Sequence, residues 1–264
     1  MTTVQEHPGV MLGSGSGTPA DRAALRFSGV GKRFGDGTEA LTDVDLGVAP
    51  GEFVTVVGPS GCGKSTLLKI ASGLTSATSG AVDTHAARLG YVFQDATLLP
   101  WRTVQHNVEL LAELHGVGRA ERAESARRAI ELVGLQGFTK HRPGQLSGGM
   151  RMRVSLARSL TLSPEVFLFD EPFGALDEIT RDRLNDELLK LFVDQRFAAL
   201  FITHSVNEAV YLSTRVVVMS GRPGRLVSDF EVPFPYPRAP ELRFTPQFAA
   251  LAGAVSASLR GSHS

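Results

Sequence analysis

The chain has 264 residues, enough to bury a sizeable core, and its 42% apolar and 20% charged content is ordinary for a soluble globular protein. Lysine plus arginine equals aspartate plus glutamate at 27 each, so the basic footprint of a dedicated nucleic-acid binder is missing and no nucleic-acid partner is expected. No apolar run reaches the roughly eighteen residues that span a bilayer, and the first residues lack the basic end and apolar core of a secretory signal, so a cytosolic location is expected.

Residues 1–22, with Gly13-Ser-Gly-Ser-Gly17-Thr-Pro19, have a flexible-linker composition and are expected to be disordered. Strands are expected near Leu25-Arg26-Phe27 and from Leu41 to Val48, and Pro50-Gly51 then turns the chain into the apolar strand Phe53-Val54-Thr55-Val56-Val57. Next comes Gly58-Pro59-Ser60-Gly61-Cys62-Gly63-Lys64-Ser65-Thr66, followed by the helical stretch Leu67-Leu68-Lys69-Ile70. Strand, glycine loop and helix in this order, with the spacing G-x-x-x-x-G-K-[ST], suit a nucleoside triphosphate. Glycines let backbone N–H groups approach phosphate oxygens, and the helix N-terminus adds unpaired donors. Lys64 would reach the outer phosphates, and Ser65 would place its hydroxyl on Mg²⁺. The competing reading is a plain glycine turn. Cys62, the one cysteine, excludes an intrachain disulfide and reads as a small loop residue.

Arg88 to Phe93 reads as another strand, and Trp101 as half-buried packing. From Thr103 to Leu160 the pattern is helical: Ala123, Ala126, Ile130 and Val133 share a face, and Glu124 precedes Arg128 by four residues. Gln145-Leu146-Ser147-Gly148-Gly149-Met150 opens the helical run Arg151 to Leu160. Ser-Gly-Gly at a helix start is a second anion-binding end, or else an N-capping serine with a glycine turn. One domain needs no second such end for one nucleotide, whereas two chains facing head to tail would use it.

Val166-Phe-Leu-Phe-Asp170 is a short buried strand ending in a carboxylate, which a magnesium water shell needs, and Glu171 directly after it could polarise a water aimed at the γ-phosphate. The competing reading is an acidic turn. A helix from Asp177 to Phe192 follows, then strands at Ala199–Ile202 and Val216–Met219, and room for a short strand after the turn Gly221-Arg-Pro-Gly224. The run Pro233-Phe-Pro-Tyr-Pro237 excludes regular helix and central strand. The seven histidines make no H-E-x-x-H pattern and no close pair, which sets zinc aside, and no N-K-x-D motif points to guanine.

Together these segments resemble the ATP-binding subunits of ABC transporters, over residues 25 to 225. Gly58–Thr66 matches the Walker A motif, Leu146-Ser-Gly-Gly-Met150 is similar to the signature sequence, and Val166–Asp170 resembles Walker B with Glu171 as its catalytic glutamate. Gln94 looks like the Q-loop glutamine, Gly174-Ala-Leu-Asp177 like the D-loop and His204 like the switch histidine; Phe34 stands where an aromatic stacks on adenine. Met150 departs from the commoner glutamine, which leaves Ser147, Gly148 and Gly149 intact.

The resemblance implies ATP as substrate with Mg²⁺ held by Ser65, Gln94 and Asp170, catalysis by Lys64, Gln94, Glu171 and His204, and nucleotide contacts from Phe34, residues 58–66 and residues 147–149. Asp177 would shape a dimer contact, with an ordinary helix N-cap as the alternative. It also implies an α/β fold: a P-loop NTPase core with a mixed, largely parallel sheet, an antiparallel β part, and an inserted α-helical subdomain at about 95–160. The ATPase domain is expected to cover 23–230, with a proline-rich tail at 231–264. Stretches 93–101 and 233–238, with 240–243, are similar to the importer group for nitrate, sulfonate, taurine and bicarbonate. The implied partners are a second ATPase subunit, a homodimer by expectation, separate transmembrane permease subunits that meet the Trp101 loop, and indirectly an extracytoplasmic solute-binding protein, all at the cytoplasmic face of the membrane. A soluble ABC-type ATPase not coupled to transport is the alternative.

Overall fold

A computed structural model describes residues 23–262; the expected disorder of residues 1–22 lies outside this range. Two sheets and eight α-helices form the described chain. The smaller sheet is antiparallel, with β1 (Leu25–Arg33) between β2 (Glu39–Val48) and β4 (Ser79–Thr84). Its buried side chains include Leu25, Phe27, Val30, Leu41, Val44 and Leu46, so one face turns inward.

The larger sheet has six strands in the order β5 (Leu89–Val92), β6 (Val166–Asp170), β7 (Ala198–Thr203), β3 (Phe53–Val57), β8 (Arg215–Met219) and β9 (Leu226–Glu231). The first five are parallel, and β9 pairs antiparallel with β8 at the edge. Every residue of β3, β6 and β7 is buried, as continuous apolar strands covered on both faces must be. Alternation splits their side chains between two cores. Phe53, Phe167, Phe169 and Phe201 join Phe192 and Phe197 on the side of the later helices. Val54, Val56, Leu168, Leu200 and Ile202 face the antiparallel sheet and Leu67, Leu68 and Ile70 of helix α1 (Lys64–Ala71).

Between β5 and β6 the chain forms α2 (Val104–Val108), α3 (Leu110–Leu114), α4 (Arg119–Leu132) and α5 (Gly148–Leu160). The long helical pattern read from the sequence is thus broken into four pieces. Gly116 and Gly134 take positive φ at two of the breaks, and Pro143 opens a 3-10 turn. The face of α4 does bury Ala126, Ala129 and Ile130, and Glu124 pairs with Arg127 at 2.8 Å and with Arg128 at 3.5 Å. Trp101, expected half-buried, is 69% exposed in the loop before α2.

After β6 come α6 (Glu178–Gln195) and, following β7, α7 (Val206–Leu212). The sequence analysis assigned no helix beyond the proline run, yet α8 (Pro246–Gly261) forms there and buries Phe248 and Val255. The segment leading to it is anchored by Arg238, whose buried guanidinium donates to the carbonyls of Val210, Tyr211, Ser213 and Phe234. Those first three carbonyls lie at the end of α7, where helical partners run out. The Tyr236 hydroxyl donates to Leu212 O at 2.6 Å, and burial pushes its phenol up to about 12.

Candidate functional site

Three parallel strands bring the site together. β3 ends at Val57, level with Thr203 of β7, and Asp170 at the end of β6 is level with Ile202. Loops leaving these three C-terminal ends therefore meet above one edge of the sheet, where ligands of open α/β sheets bind. Residues 58–63 leave β3, Glu171 leaves β6, and His204 leaves β7.

The glycine loop is held open by backbone shape. Gly61 and Gly63 have φ of 75° and 110°, conformations that L side chains resist. A Cβ on Gly63 would also stand 2.7 Å from Ala40 O and 2.7 Å from Leu41 Cδ2. Lys64 begins α1 and is 5% exposed; its ammonium donates to Gly58 O and Pro59 O, both at 2.9 Å, and lies 3.9 Å from Glu171 Oε1. The buried Cys62 thiol is 3.9 Å from the same ammonium, but burial pushes its pKa up, so it is a packing residue and not a thiolate.

Ser65 donates its hydroxyl to Asp170 Oδ1 at 2.7 Å, across the intervening strand β7. Asp170 Oδ2 accepts from the Tyr91 hydroxyl at 3.2 Å. Burial first, and the Asp170 charge second, push the Tyr91 phenol above its usual range, so it remains a donor. Glu171 has φ 45°, a strained conformation for a glutamate, fixed in part by its N–H donating to Ile202 O at 3.0 Å. Its Oε2 shares a hydrogen bond of 3.1 Å with His204 Nδ1, and His204 is half exposed.

Phe34, Ser60, Gly61, Gly63, Lys64, Ser65, Thr66, Gln94 and Glu171 line one cleft of about 360 Å³. Phe34 is 42% exposed at this cleft, and the Lys32 ammonium stands over its ring, 5.4 Å from the centroid. The hydroxyl of Ser65, the carboxylate of Asp170 and the amide of Gln94 are hard oxygen donors of the kind Mg²⁺ takes, and Ser65 and Asp170 already converge. Among the described residues no group of three or more His, Cys, Asp or Glu side chains forms a metal cage.

Ser147, Gly148 and Gly149 are elsewhere. Ser147 caps α5, accepting from Met150 N–H at 3.2 Å, and none of the three lines the cleft. Asp177 caps α6, accepting from Thr180 N–H at 3.0 Å. The sequence analysis missed Tyr91, Arg158 and Arg222. Arg158 is buried and holds the segment after Gln94 by donating to Ala96 O and Thr97 O, both at 3.0 Å. Arg222 lines the cleft itself. Its only local signal was a Gly-Arg-Pro-Gly turn.

A family model described as ABC transporter matches residues 41–174, the span from β2 through the segment after Glu171. The chain belongs to the ABC transporter family. It is an ATP-binding cassette ATPase. The aliphatic sulfonates import ATP-binding protein SsuB of Burkholderia ambifaria is 45% identical, over 89% of this chain and 72% of that protein. The taurine import ATP-binding protein TauB of Pseudomonas aeruginosa is 44% identical, over 81% of this chain and 83% of that protein. Among solved structures, the cassette MJ0796, a dimer in a post-hydrolysis state bound to ADP and Pi, is 31% identical with a TM-score of 0.70, covering 80% of this chain and 99% of that one. The cassette fold read from the sequence, a mixed and largely parallel sheet with an antiparallel β part, is the fold observed. No helix among the described residues is long and apolar enough to cross a membrane.

Proposed function

We propose that this cassette is the ATP-hydrolysing subunit of an importer, driving solute uptake through separate permease subunits at the cytoplasmic face of the membrane. The observation that carries the catalytic part is the meeting of Ser65 with Asp170 at 2.7 Å beside a Glu171 that reaches both Lys64 and His204. Lys64 neutralises the outer phosphates, and the N–H groups of residues 58–66 hold them. Ser65, Asp170 and Gln94 would hold Mg²⁺, which would supply positive charge to offset that of the outer phosphates. Glu171 Oε accepts the proton of the attacking water, and His204 orients that carboxylate and bonds the γ-phosphate. Phe34 stacks on adenine.

Ser147, Gly148 and Gly149 lie outside the cleft of their own chain, so they serve the nucleotide of a second copy in a head-to-tail dimer. The dimeric state of MJ0796 supports this pairing. The relatives named for aliphatic sulfonates and taurine support an importer whose solute carries a small oxyanion, with a solute-binding protein outside the membrane.

Glu171→Gln is expected to lower ATP turnover by about 10²–10⁴-fold while ATP still binds, measured by phosphate release and by equilibrium titration. Unchanged turnover removes Glu171 from the role of base. Purification of the tagged chain from solubilised membranes is expected to bring an integral membrane protein with it; recovery with RNA or DNA instead would sink the importer reading.

A further inference from the structure

The loop from β8 to β9 is pressed against the glycine loop, and it carries a cation the roles above do not use. Ser220 N–H donates to Arg225 O at 2.8 Å and Arg225 N–H to Ser220 Oγ at 3.0 Å, closing the turn. Gly224 N–H donates to Ala40 O at 2.9 Å, and Thr42 N–H to Gly224 O at 3.1 Å, tying it to β2. Gly224 packs so closely on the Cys62 carbonyl that there is no room for a Cβ. The backbone at Arg222 is thus fixed from both sides.

From that base Arg222 reaches the glycine loop. Its Nε and Nη2 donate to the same carbonyl, Gly61 O, at 3.1 and 2.8 Å. This uses one edge of the planar fork. Among the described residues Nη1 has no hydrogen-bond partner and no carboxylate forms an ion pair with the guanidinium. Asp36 is the acid that feels its charge: the Thr38 N–H bond chiefly holds the Asp36 carboxyl low, with Arg222 adding a smaller pull. Asp36 lies two residues past Phe34, and Arg222 shares the cleft with Phe34 and Ala40. The cleft therefore holds two cations, Lys64 beside Glu171 and Arg222 on Gly61 O, and the second is close enough to Asp36, on the turn that follows Phe34, for its charge to be felt there.

We infer that Arg222 is a nucleotide contact at the base end of the cleft, its free edge binding the phosphate nearest the ribose, which ATP and ADP share. This rests on the nucleotide site proposed above. An arginine with an unpaired fork beside a phosphate loop is suited to charge-assisted bonds with phosphate oxygens. Because the same guanidinium holds Gly61 O, a nucleotide that engages it also tightens the shape of the loop that grips the other phosphates.

Titration calorimetry of the full chain with Mg-ATP and Mg-ADP tests this. Arg222→Ala is expected to weaken both ligands by a similar factor, about tenfold or more. Arg222→Lys keeps the charge but not the fork, and is expected to recover only part of the affinity. Arg222→Gln keeps a donor for Gly61 O without the charge and is expected to stay weak, with a shallower salt dependence than the parent. Parental affinity in Arg222→Gln would reduce Arg222 to a prop for the loop, and a loss confined to ATP would place it at the γ end; either result overturns the inference. Lys64→Ala serves as the control. If it binds ATP as the parent does, the nucleotide site itself is misplaced. If it is weakened while Arg222→Ala binds normally, only the role of Arg222 falls.

Discussion

Glu208 is a buried carboxyl four residues past His204. It lies in the first turn of α7, is 5% exposed, and its Oε1 has no hydrogen-bond partner among the described residues. Burial pushes its pKa up, against smaller opposing pulls from Thr203, Arg181, Asn185 and His204. A carboxyl with a raised folded-state pKa favours the fold most below its unfolded value and loses that contribution as pH rises through the folded value. Glu208→Gln removes the ionisation. Its thermal midpoint relative to the parent is therefore expected to rise from pH 5 to pH 8, as read by circular dichroism melts. A difference that does not change with pH would mean that the buried carboxyl keeps one protonation state throughout.

Among the elements, α5 links the two ends of the proposed machinery. It starts at Ser147 and finishes against the segment that carries Gln94. Near its far end Ser159 donates to Tyr91 O at 3.0 Å, while Arg158 donates to Ala96 O, Thr97 O and Thr97 Oγ1. Thr97 has φ 45°, so these bonds hold a strained turn. Burial lowers the Arg158 pKa, and its hydrogen bonds to these oxygens offset part of that cost. Arg158→Met is expected to destabilise the fold by about 2–3 kcal/mol. The corresponding fall in thermal midpoint is about 5–10 °C. A midpoint within a degree of the parent would show that the turn holds its shape without the arginine.

For the whole molecule, the decisive property is that the two segments proposed to bind anions, the glycine loop and the Ser147 end of α5, do not meet within one chain. The glycine loop stands over the C-terminal edge of the parallel sheet, and the capped start of α5 lies outside that cleft. Lys64→Ala and Ser147→Arg are each expected to be inactive alone. Mixed in equal amounts, they form heterodimers with one intact composite site, and random pairing restores roughly a quarter of parental turnover. No recovery in a mixture shown to exchange subunits would rule out the head-to-tail arrangement.

The glycine loop, the strand ending at Asp170 and the strand before His204 were legible because their chemistry is local. A phosphate loop needs its glycines, lysine and serine at fixed spacing, and a buried strand needs an unbroken apolar run. Helix α8 was not legible, since Ala249, Ala250, Ala252 and Ala254 give a weak periodic signal and its stability comes from Phe248 and Val255 packing on the body of the fold. Nor was Arg222, because an arginine in a turn carries no sign of which loop lies above it. The residue types and their order by themselves identified the chain as an ATP-binding cassette and named the groups proposed to hold the nucleotide. Only the tertiary structure decided that Ser65 meets Asp170 across β7, that Ser147 is kept away from both, and that a cation from the far edge of the sheet joins the cleft. Such pairings depend on strand order, and strand order is set by burial of side chains far apart along the chain.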